Sequence, residues 1–371
     1  MKYYLIAGEA SGDMHAANLV LALKQTDAMA EFRCFGGDNL KEAGATLFIH
    51  YKDMALMGFI EVFKKYPTIR KNKNLCRKDI LDHKPDVLIL VDYSGFNLPM
   101  ARFAARYGIR VIYYISPKLW AWAGWRVKII RDHVMKMFVI LPFEVDFYRE
   151  HRVNAEYYGN PVLDSIQSFE DRFDPNADFR RKNNLDDKPI VALLAGSRKQ
   201  EIDLLLPEML SIEEKYPGFR FVVAGAPSIS PLYYERYLAN SNARVVYGQT
   251  YELLKHAKAA VVTSGTATLE TALLNVPEVV VYKTSPFTFF VGNFLVSVRY
   301  FSLVNLILGR DAVKELLQYD LARDIKTELD RLLFDDHYRH EMLENYTLLR
   351  HKLGEPGVAG RIAGRIYECL T

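Results

Sequence analysis

Cysteine is scarce. Cys34, Cys76 and Cys369 are the only three in 371 residues, odd in number and far apart. That spacing supports neither a disulfide framework nor a zinc site. An excess of one charge is missing too: 48 Lys and Arg stand against 45 Asp and Glu, a net charge of +3. A general nucleic-acid binder is excluded, and only a local basic patch remains open. No apolar run is long enough to span a bilayer. The longest, Phe287 to Val298, is broken by Gly292 and Asn293. The opening MKYYLIAGEASGD enters a strand and a glycine turn at once, without the apolar region and cleavage site of a signal peptide. A reducing, cytoplasmic setting without a transmembrane helix is therefore expected. Three ligand signatures are absent as well: GxGxxG, GK[ST] and D-x-D. The missing D-x-D weakens any metal-bridged sugar-nucleotide scheme. What remains is an ordinary globular composition, 50% hydrophobic and 25% charged, long enough for two domains.

The stretch Ala259 to Tyr282, AAVVTSGTATLETALLNVPEVVVY, reads as strand, turn, helix and strand, the unit of a parallel sheet. Ser264, Gly265 and Thr266 make a small-residue turn into the helix. Free backbone N–H groups and the helix dipole suit a phosphate or diphosphate there. Glu270, four residues after Thr266, shares its side of the helix and could accept hydrogen bonds from ribose hydroxyls. The alternative is a Ser cap beside a solvated Glu.

The first half repeats the strand–loop–helix rhythm. Tyr3 to Ala7 is a strand, and Gly8-Glu9-Ala10-Ser11-Gly12-Asp13 is its turn, with Ser11 or Asp13 as an alternative helix cap. Met54 to Tyr66 is apolar, and Arg70, Lys71, Lys73, Arg77 and Lys78 follow it. This is either a surface that rests on anionic lipid or a half-buried helix with a solvated basic face. Val87 to Val91 is a buried strand that delivers Asp92 to the ligand end of the sheet, ahead of Tyr93-Ser94-Gly95-Phe96-Asn97. Asp92 is either a general base or a helix cap. Arg110 to Ile115 and Lys136 to Leu141 are further strands, the first followed by Ser116-Pro117-Lys118-Leu119-Trp120.

In the second half, Ser168 to Lys188 reads as a linker with a short helix. Ile190 to Leu194 is a strand, and Gly196-Ser197-Arg198 with Glu201 forms its loop. Arg198 could clamp a diphosphate through paired donors, or pair with Glu201 on the surface. The strands Phe219 to Ala224 and Val245-Val246 precede the central stretch. Ser285 to Gly309 is greasy and aromatic, interrupted by Asn305 and followed by Arg310, and helices are expected after the stretch Asp311 to Gln318.

The motifs GEASGD, ALMGFIEV, KPDV, SPKLWAW, LPFE, GSR, SGTATLE, PFTF, SLVNLILGR and VKELLQ follow one another between Gly8 and Gln318. In that order they resemble lipid-A-disaccharide synthases over nearly the whole chain. The resemblance implies a glycosyltransferase B fold, an α/β arrangement of two Rossmann-like domains facing a central cleft. It implies an acceptor domain over 1–167, a UDP-sugar domain over 168–340, and helices over 341–371 that cross back to the first.

The implied reaction joins UDP-2,3-diacylglucosamine to 2,3-diacylglucosamine 1-phosphate (lipid X), with inversion. It gives a β(1′→6) disaccharide 1-phosphate and UDP, without metal or cofactor. Asp92 matches the family's candidate base and Glu9 is the second candidate, with Arg198 and Asn305 as further catalytic positions. Substrate contacts are implied at Gly8, Ser11, Gly12, Asn97, Ser116 and Trp120. In the other domain they fall at Gly196, Ser197, Glu201, Ser264, Gly265, Thr266, Glu270, Arg310 and Gln318. An anionic inner-membrane surface is an implied partner, nucleic acid is not, and a homodimer is left open. Two departures matter. Gly95 stands where the family often has a second Asp, and Gly159-Asn160 where it has Gly-His, so neither position supplies that side chain's chemistry. Two other readings share the fold: a UDP-N-acetylglucosamine 2-epimerase, and a non-catalytic sugar-nucleotide or lipid-binding protein.

Overall fold

Every strand pairing among the described residues is parallel, and the strands fall into two sheets. The structure is a computed structural model and describes residues 1–54, 66–122, 124–175, 178–284 and 299–371. The chain forms two compact units, Met1–Asp164 with Gly354–Thr371, and Ser165–Leu353. Set beside the expected bounds of 167 and 341, the divisions fall at Asp164–Ser165 and Leu353–Gly354.

The first unit has seven strands: β1 Lys2–Ala7, β2 Glu31–Gly36, β3 Thr46–His50, β4 Val87–Val91, β5 Arg110–Tyr114, β6 Lys136–Val139 and β7 Ala155–Tyr157. Their order is β3-β2-β1-β4-β5-β6-β7. The central strands are buried on both faces, which is why they read as continuous apolar runs. Tyr3, Leu5, Ala7, Val87, Ile89 and Val91 enter one core cluster, whereas Tyr4, Ile6, Leu88 and Leu90 enter the other. The helix Ala10–Thr26 covers the first face with Ala16, Leu19, Val20 and Leu23. Cys76 and Ile80 of the helix Tyr66–His83 cover the second.

The second unit has six strands: β8 Ile190–Leu194, β9 Arg220–Gly225, β10 Arg244–Tyr247, β11 Ala257–Thr263, β12 Glu278–Tyr282 and β13 Lys314–Leu317. They run β10-β9-β8-β11-β12-β13. Both sheets reverse direction of growth beside their first strand, the doubly wound Rossmann pattern. Two such units in one chain make the glycosyltransferase B fold. Lys314–Leu317, in the stretch Asp311 to Gln318 that the sequence reading leaves unassigned, is an edge strand paired to β12. The helices resume at Leu321–Phe334 and Asp336–Leu353.

The last helix, Val358–Leu370, belongs to the first unit. It buries Val358, Ile362, Ala363, Ile366 and Leu370 in the same cluster as the helix Ala10–Thr26. Asp164 fixes its start. Oδ1 accepts from the Gly357 and Val358 amides at 2.6 and 3.0 Å, and Oδ2 from the Ala359 amide at 2.9 Å. A carboxylate on first-turn amides satisfies donors that helix geometry leaves open. Asp164→Ala is expected to cost about 1–2 kcal/mol of stability. A urea melt measures the loss, and faster amide exchange in Val358–Leu370 should accompany it. Unchanged exchange there would show that the helix is held by its apolar face alone.

Candidate active site

In an open parallel sheet, ligands gather where neighbouring strands send their connections to opposite faces. In the first unit that point lies between β1 and β4, whose last residues Ala7 and Val91 are paired. The topology therefore brings the Gly8-Glu9 turn beside Asp92. Close approach needs Gly8: a Cβ there would sit 2.2 Å from the Tyr93 ring. Glu9 is exposed at the N-cap of the helix Ala10–Thr26 and makes no side-chain cap bond. Ser11 is exposed and Gly12 buried, its α-carbon facing Val91 and Ala7.

Asp13 ends the motif with a different task. Its buried carboxylate accepts from the Gly37 amide at 2.6 Å and from the Asn39 amide and side chain at 3.0 and 2.9 Å. It ties the start of the helix Asp38–Glu42 to the first turn and does not cap its own helix.

Asp92 and Tyr93 are both left-handed, with φ of 43° and 45°. For residues with a Cβ this backbone is held by its surroundings. The Asp92 carbonyl accepts from the Tyr113 hydroxyl at 2.5 Å and from Asn97 Nδ2 at 2.9 Å. The Asp92 amide donates to the Ile115 carbonyl at 3.0 Å. Asn97 is fully buried and also donates to the Val91 and Ile6 carbonyls, so it shapes the strand end from within. The helix Ser94–Arg106 takes Tyr93 as its N-cap and receives no side-chain cap bond, so Asp92 is not its cap. Burial pushes the Asp92 carboxyl up to about 6, helped by the charge of Glu9 and opposed by Lys118 and the Tyr93 amide. A carboxylate tuned towards neutrality at a ligand crevice has the properties of a general base.

Ser116 and Trp120, expected as substrate contacts, both turn inward to Glu144. The Ser116 hydroxyl donates to Oε1 at 2.5 Å and Trp120 Nε1 donates at 3.0 Å. The Ile140 and Leu141 amides donate to Oε2 at 3.2 and 3.0 Å. Glu144 is buried, and burial raises its pKa against these four donors. This carboxylate holds the loop after β5 in shape, and with it Lys118. Lys118, whose charge reaches Asp92, was legible only as one letter of SPKLWAW. Asn160 is also internal, bonded to the Ile140 carbonyl at 2.9 Å and the Val162 amide at 3.0 Å.

The second unit has its own reversal between β8 and β11, where Leu194 pairs with Val262. The Gly196-Ser197-Arg198 loop and the Ser264-Gly265-Thr266 turn follow those strands. Gly196 has φ of 103°, and a Cβ there would meet Glu201 Oε2 at 2.4 Å. Glu201 Oε2 accepts from the Ser197 and Arg198 amides at 3.0 and 3.2 Å. The Arg198 guanidinium lies 3.5 Å from Glu201 Oε1, and its side chain is 52% exposed. An exposed pair at that distance contributes under about 1 kcal/mol, so the guanidinium is available to an anionic ligand.

Gly265, with φ of 155°, is the N-cap of the helix Thr266–Leu273 and brings no side-chain acceptor to it. Ser264 is committed elsewhere, donating to the Phe301 carbonyl at 2.6 Å. Thr266 is exposed. Glu270 is half-buried one turn below and accepts from the Tyr251 hydroxyl at 2.6 Å. Burial raises the Glu270 pKa and the Tyr251 bond lowers it.

Asn305 occupies a closed knot. Nδ2 donates to the Val313 carbonyl at 2.9 Å and to Glu315 at 2.8 Å, and Oδ1 accepts from the Ala312 and Val313 amides at 2.8 and 2.9 Å. Its amide is therefore spent within the chain, and Glu315 also binds the Phe301 and Ser302 amides, both at 2.9 Å. The knot backs the Ser264 turn through Phe301. Gln318 is buried and clasps Thr284, accepting from its amide at 3.1 Å and donating to its carbonyl at 2.8 Å. Arg310 is exposed. The apolar residues from Leu56 to Phe63, with Lys64 and Lys65, lie outside the described residues, as do positions 285–298. Among the described residues no helix is long and apolar enough to cross a membrane.

Comparison with known proteins agrees with this arrangement. A chain from Listeria monocytogenes described as a possible UDP-N-acetylglucosamine 2-epimerase superposes with a TM-score of 0.70 at 13% identity, covering 100% of this chain and 96% of that one. The UDP-GlcNAc 2-epimerase of Neisseria meningitidis, solved with UDP-GlcNAc, gives 0.69 at 14%, covering 99% and 100%. At such identities the likeness is one of fold. Sequence goes further. The lipid-A-disaccharide synthase of Syntrophus aciditrophicus is 40% identical over 97% of this chain and 95% of its own. That of Geobacter sulfurreducens is 37% identical over 99% and 96%. The family model for lipid-A-disaccharide synthetase matches residues 3–356. With two Rossmann-like units and the GEASGD, GSR and SGT turns at their reversal points, the chain belongs to the lipid-A-disaccharide synthase family of glycosyltransferases.

Proposed function

We propose that the protein condenses UDP-2,3-diacylglucosamine with 2,3-diacylglucosamine 1-phosphate, forming a β(1′→6) disaccharide 1-phosphate and UDP. The observation that carries this is Asp92. It is a carboxylate raised to about 6, fixed in a left-handed strand end at the ligand crevice of a chain in this family. The acceptor 6-oxygen attacks the donor's anomeric carbon while the bond to the diphosphate breaks on the opposite face. The proton of that hydroxyl passes to Asp92, and the electron pair leaves with UDP. Arg198 and the first-turn amides at Gly265 and Thr266 meet the charge that grows on the leaving diphosphate. Glu270 takes the ribose hydroxyls. Asn305 serves by holding the Ser264 turn through Glu315 and Phe301.

Both substrates carry acyl chains, so the reading includes peripheral attachment to an anionic membrane face. Arg70 and Lys71, exposed on the helix Tyr66–His83, are part of the basic surface available for it.

The test is a two-substrate assay. Equal amounts of UDP and disaccharide monophosphate are expected, with a β linkage by proton coupling. Release of an epimerised hexosamine without disaccharide supports the epimerase. UDP binding without turnover of any kind supports the binding protein.

A further inference from the structure

Beside the Asp92 loop lies a group of cations that the scheme above does not use. Lys73 and Arg77 are four residues apart on the helix Tyr66–His83, so they share a face. Like charges at that spacing repel. Both are half-buried, and their hydrogen-bond partners are neutral. Lys73 Nζ donates to the Gly95 carbonyl at 3.0 Å, and Arg77 donates to the Asn74 amide oxygen at 3.3 Å. Among the described residues neither forms an ion pair. A third cation joins them from another element. Burial first, then Arg77, then Arg126, which is stacked 5.7 Å from the Trp125 ring, depress the Lys73 ammonium. The charge of Arg126 also reaches Tyr113, whose hydroxyl holds the Asp92 carbonyl. Lys73 and Arg77, half-buried on one face and bonded only to neutral groups, leave their repulsion to be offset by an anion. They sit on the rim that places the base.

We propose that Lys73, Arg77 and Arg126 form the subsite for the phosphomonoester of the acceptor, holding that end of the sugar while Asp92 works on its 6-hydroxyl. The proposal rests on the reading of Asp92 as the base. The shared chemistry is a phosphate on a lipid, and a bilayer headgroup could offer it as well. Placement favours the substrate, since Lys73 is bonded to Gly95, three residues from Asp92. The two guanidiniums suit bidentate phosphate binding, and the ammonium adds a point charge.

The test compares the acceptor with its dephosphorylated analogue, using the full-length protein and Lys73→Met, Lys73→Arg and Arg126→Gln. For the phosphorylated acceptor, Lys73→Met and Arg126→Gln are each expected to raise KM about tenfold or more, the scale of one lost charge-assisted hydrogen bond. The dephosphorylated acceptor should show little difference between parent and variants, and Lys73→Arg should recover most of the loss. Equal losses on both acceptors would mean that Lys73 only braces Gly95, and the proposal would fall. Unchanged acceptor KM with weaker sedimentation on phosphatidylglycerol vesicles would assign the cluster to the bilayer and overturn it too. Titration with glucosamine 1-phosphate against glucosamine keeps this independent of turnover. The parent should prefer the phosphate, and both neutralising variants should lose that preference. If the parent makes no disaccharide yet keeps this preference, the reaction scheme fails and the phosphate site stands.

Discussion

Asp92→Asn is expected to lower turnover by about a hundredfold or more, the usual contribution of a positioned general base. Asn keeps the shape of the side chain and cannot take a proton. The backbone bonds that fix the residue, from Tyr113 and Asn97 to its carbonyl, do not involve the carboxylate and remain. UDP affinity should therefore be unchanged, since the residues assigned to UDP belong to the other unit. The pH dependence sharpens the test. With the carboxyl held at about 6, the base is ionised above that value and protonated below it. The parent's kcat/KM should thus rise as pH increases through about 6 and level off above, and the variant should lack this limb. Glu9 adds to the raised value by like-charge repulsion. Glu9→Gln removes that repulsion and favours the anion, so the limb should move to lower pH while turnover persists. Collapse of turnover in Glu9→Gln with near-normal rates in Asp92→Asn would exchange the two roles.

How far such a site can be read from sequence depends on which forces place each residue. Val87–Val91 and Ile190–Leu194 are found at their observed bounds, because strands buried on both faces leave unbroken apolar runs between polar loops. Asp92 follows from that, being the first residue past such a run. Its adjacency to Glu9 does not, because it depends on β1 and β4 being neighbours, a fact of topology. β13 goes unassigned because Lys314, Glu315 and Leu316 carry no strand signal of their own, and it is pairing with β12 that makes them a strand. The motif letters carry no sign of direction. Ser116, Trp120 and Asn305 match family strings, and only the fold shows Ser116 and Trp120 bonded to Glu144 and Asn305 to Glu315. Asp13 is the same lesson in reverse: it looks like a cap for its own helix and serves another. The approach of Arg126 to Lys73 joins two helices distant in sequence and leaves no local mark at all.

Glu270→Ala should weaken UDP binding by about tenfold to a hundredfold, the range that the loss of a charged hydrogen-bonding group of about 1.5–3 kcal/mol produces. One carboxylate oxygen is already oriented by the Tyr251 hydroxyl at 2.6 Å, so the group meets the ribose at little further entropic cost. Tyr251 is itself braced, its ring edge-on to Phe169 at 5.4 Å. Tyr251→Phe removes the bond that lowers the Glu270 pKa, so burial should drive that value higher. The sign is then fixed. As pH falls, the variant protonates Glu270 first and should lose UDP affinity at a higher pH than the parent, with a smaller loss than Glu270→Ala at neutral pH. Calorimetric titration of UDP checks all three proteins. The sugar contact is isolated by 2′,3′-dideoxy-UDP, on which parent and Glu270→Ala should bind alike. A Glu270→Ala protein that binds UDP as tightly as the parent would remove the ribose role and leave Glu270 as a partner for Tyr251 alone.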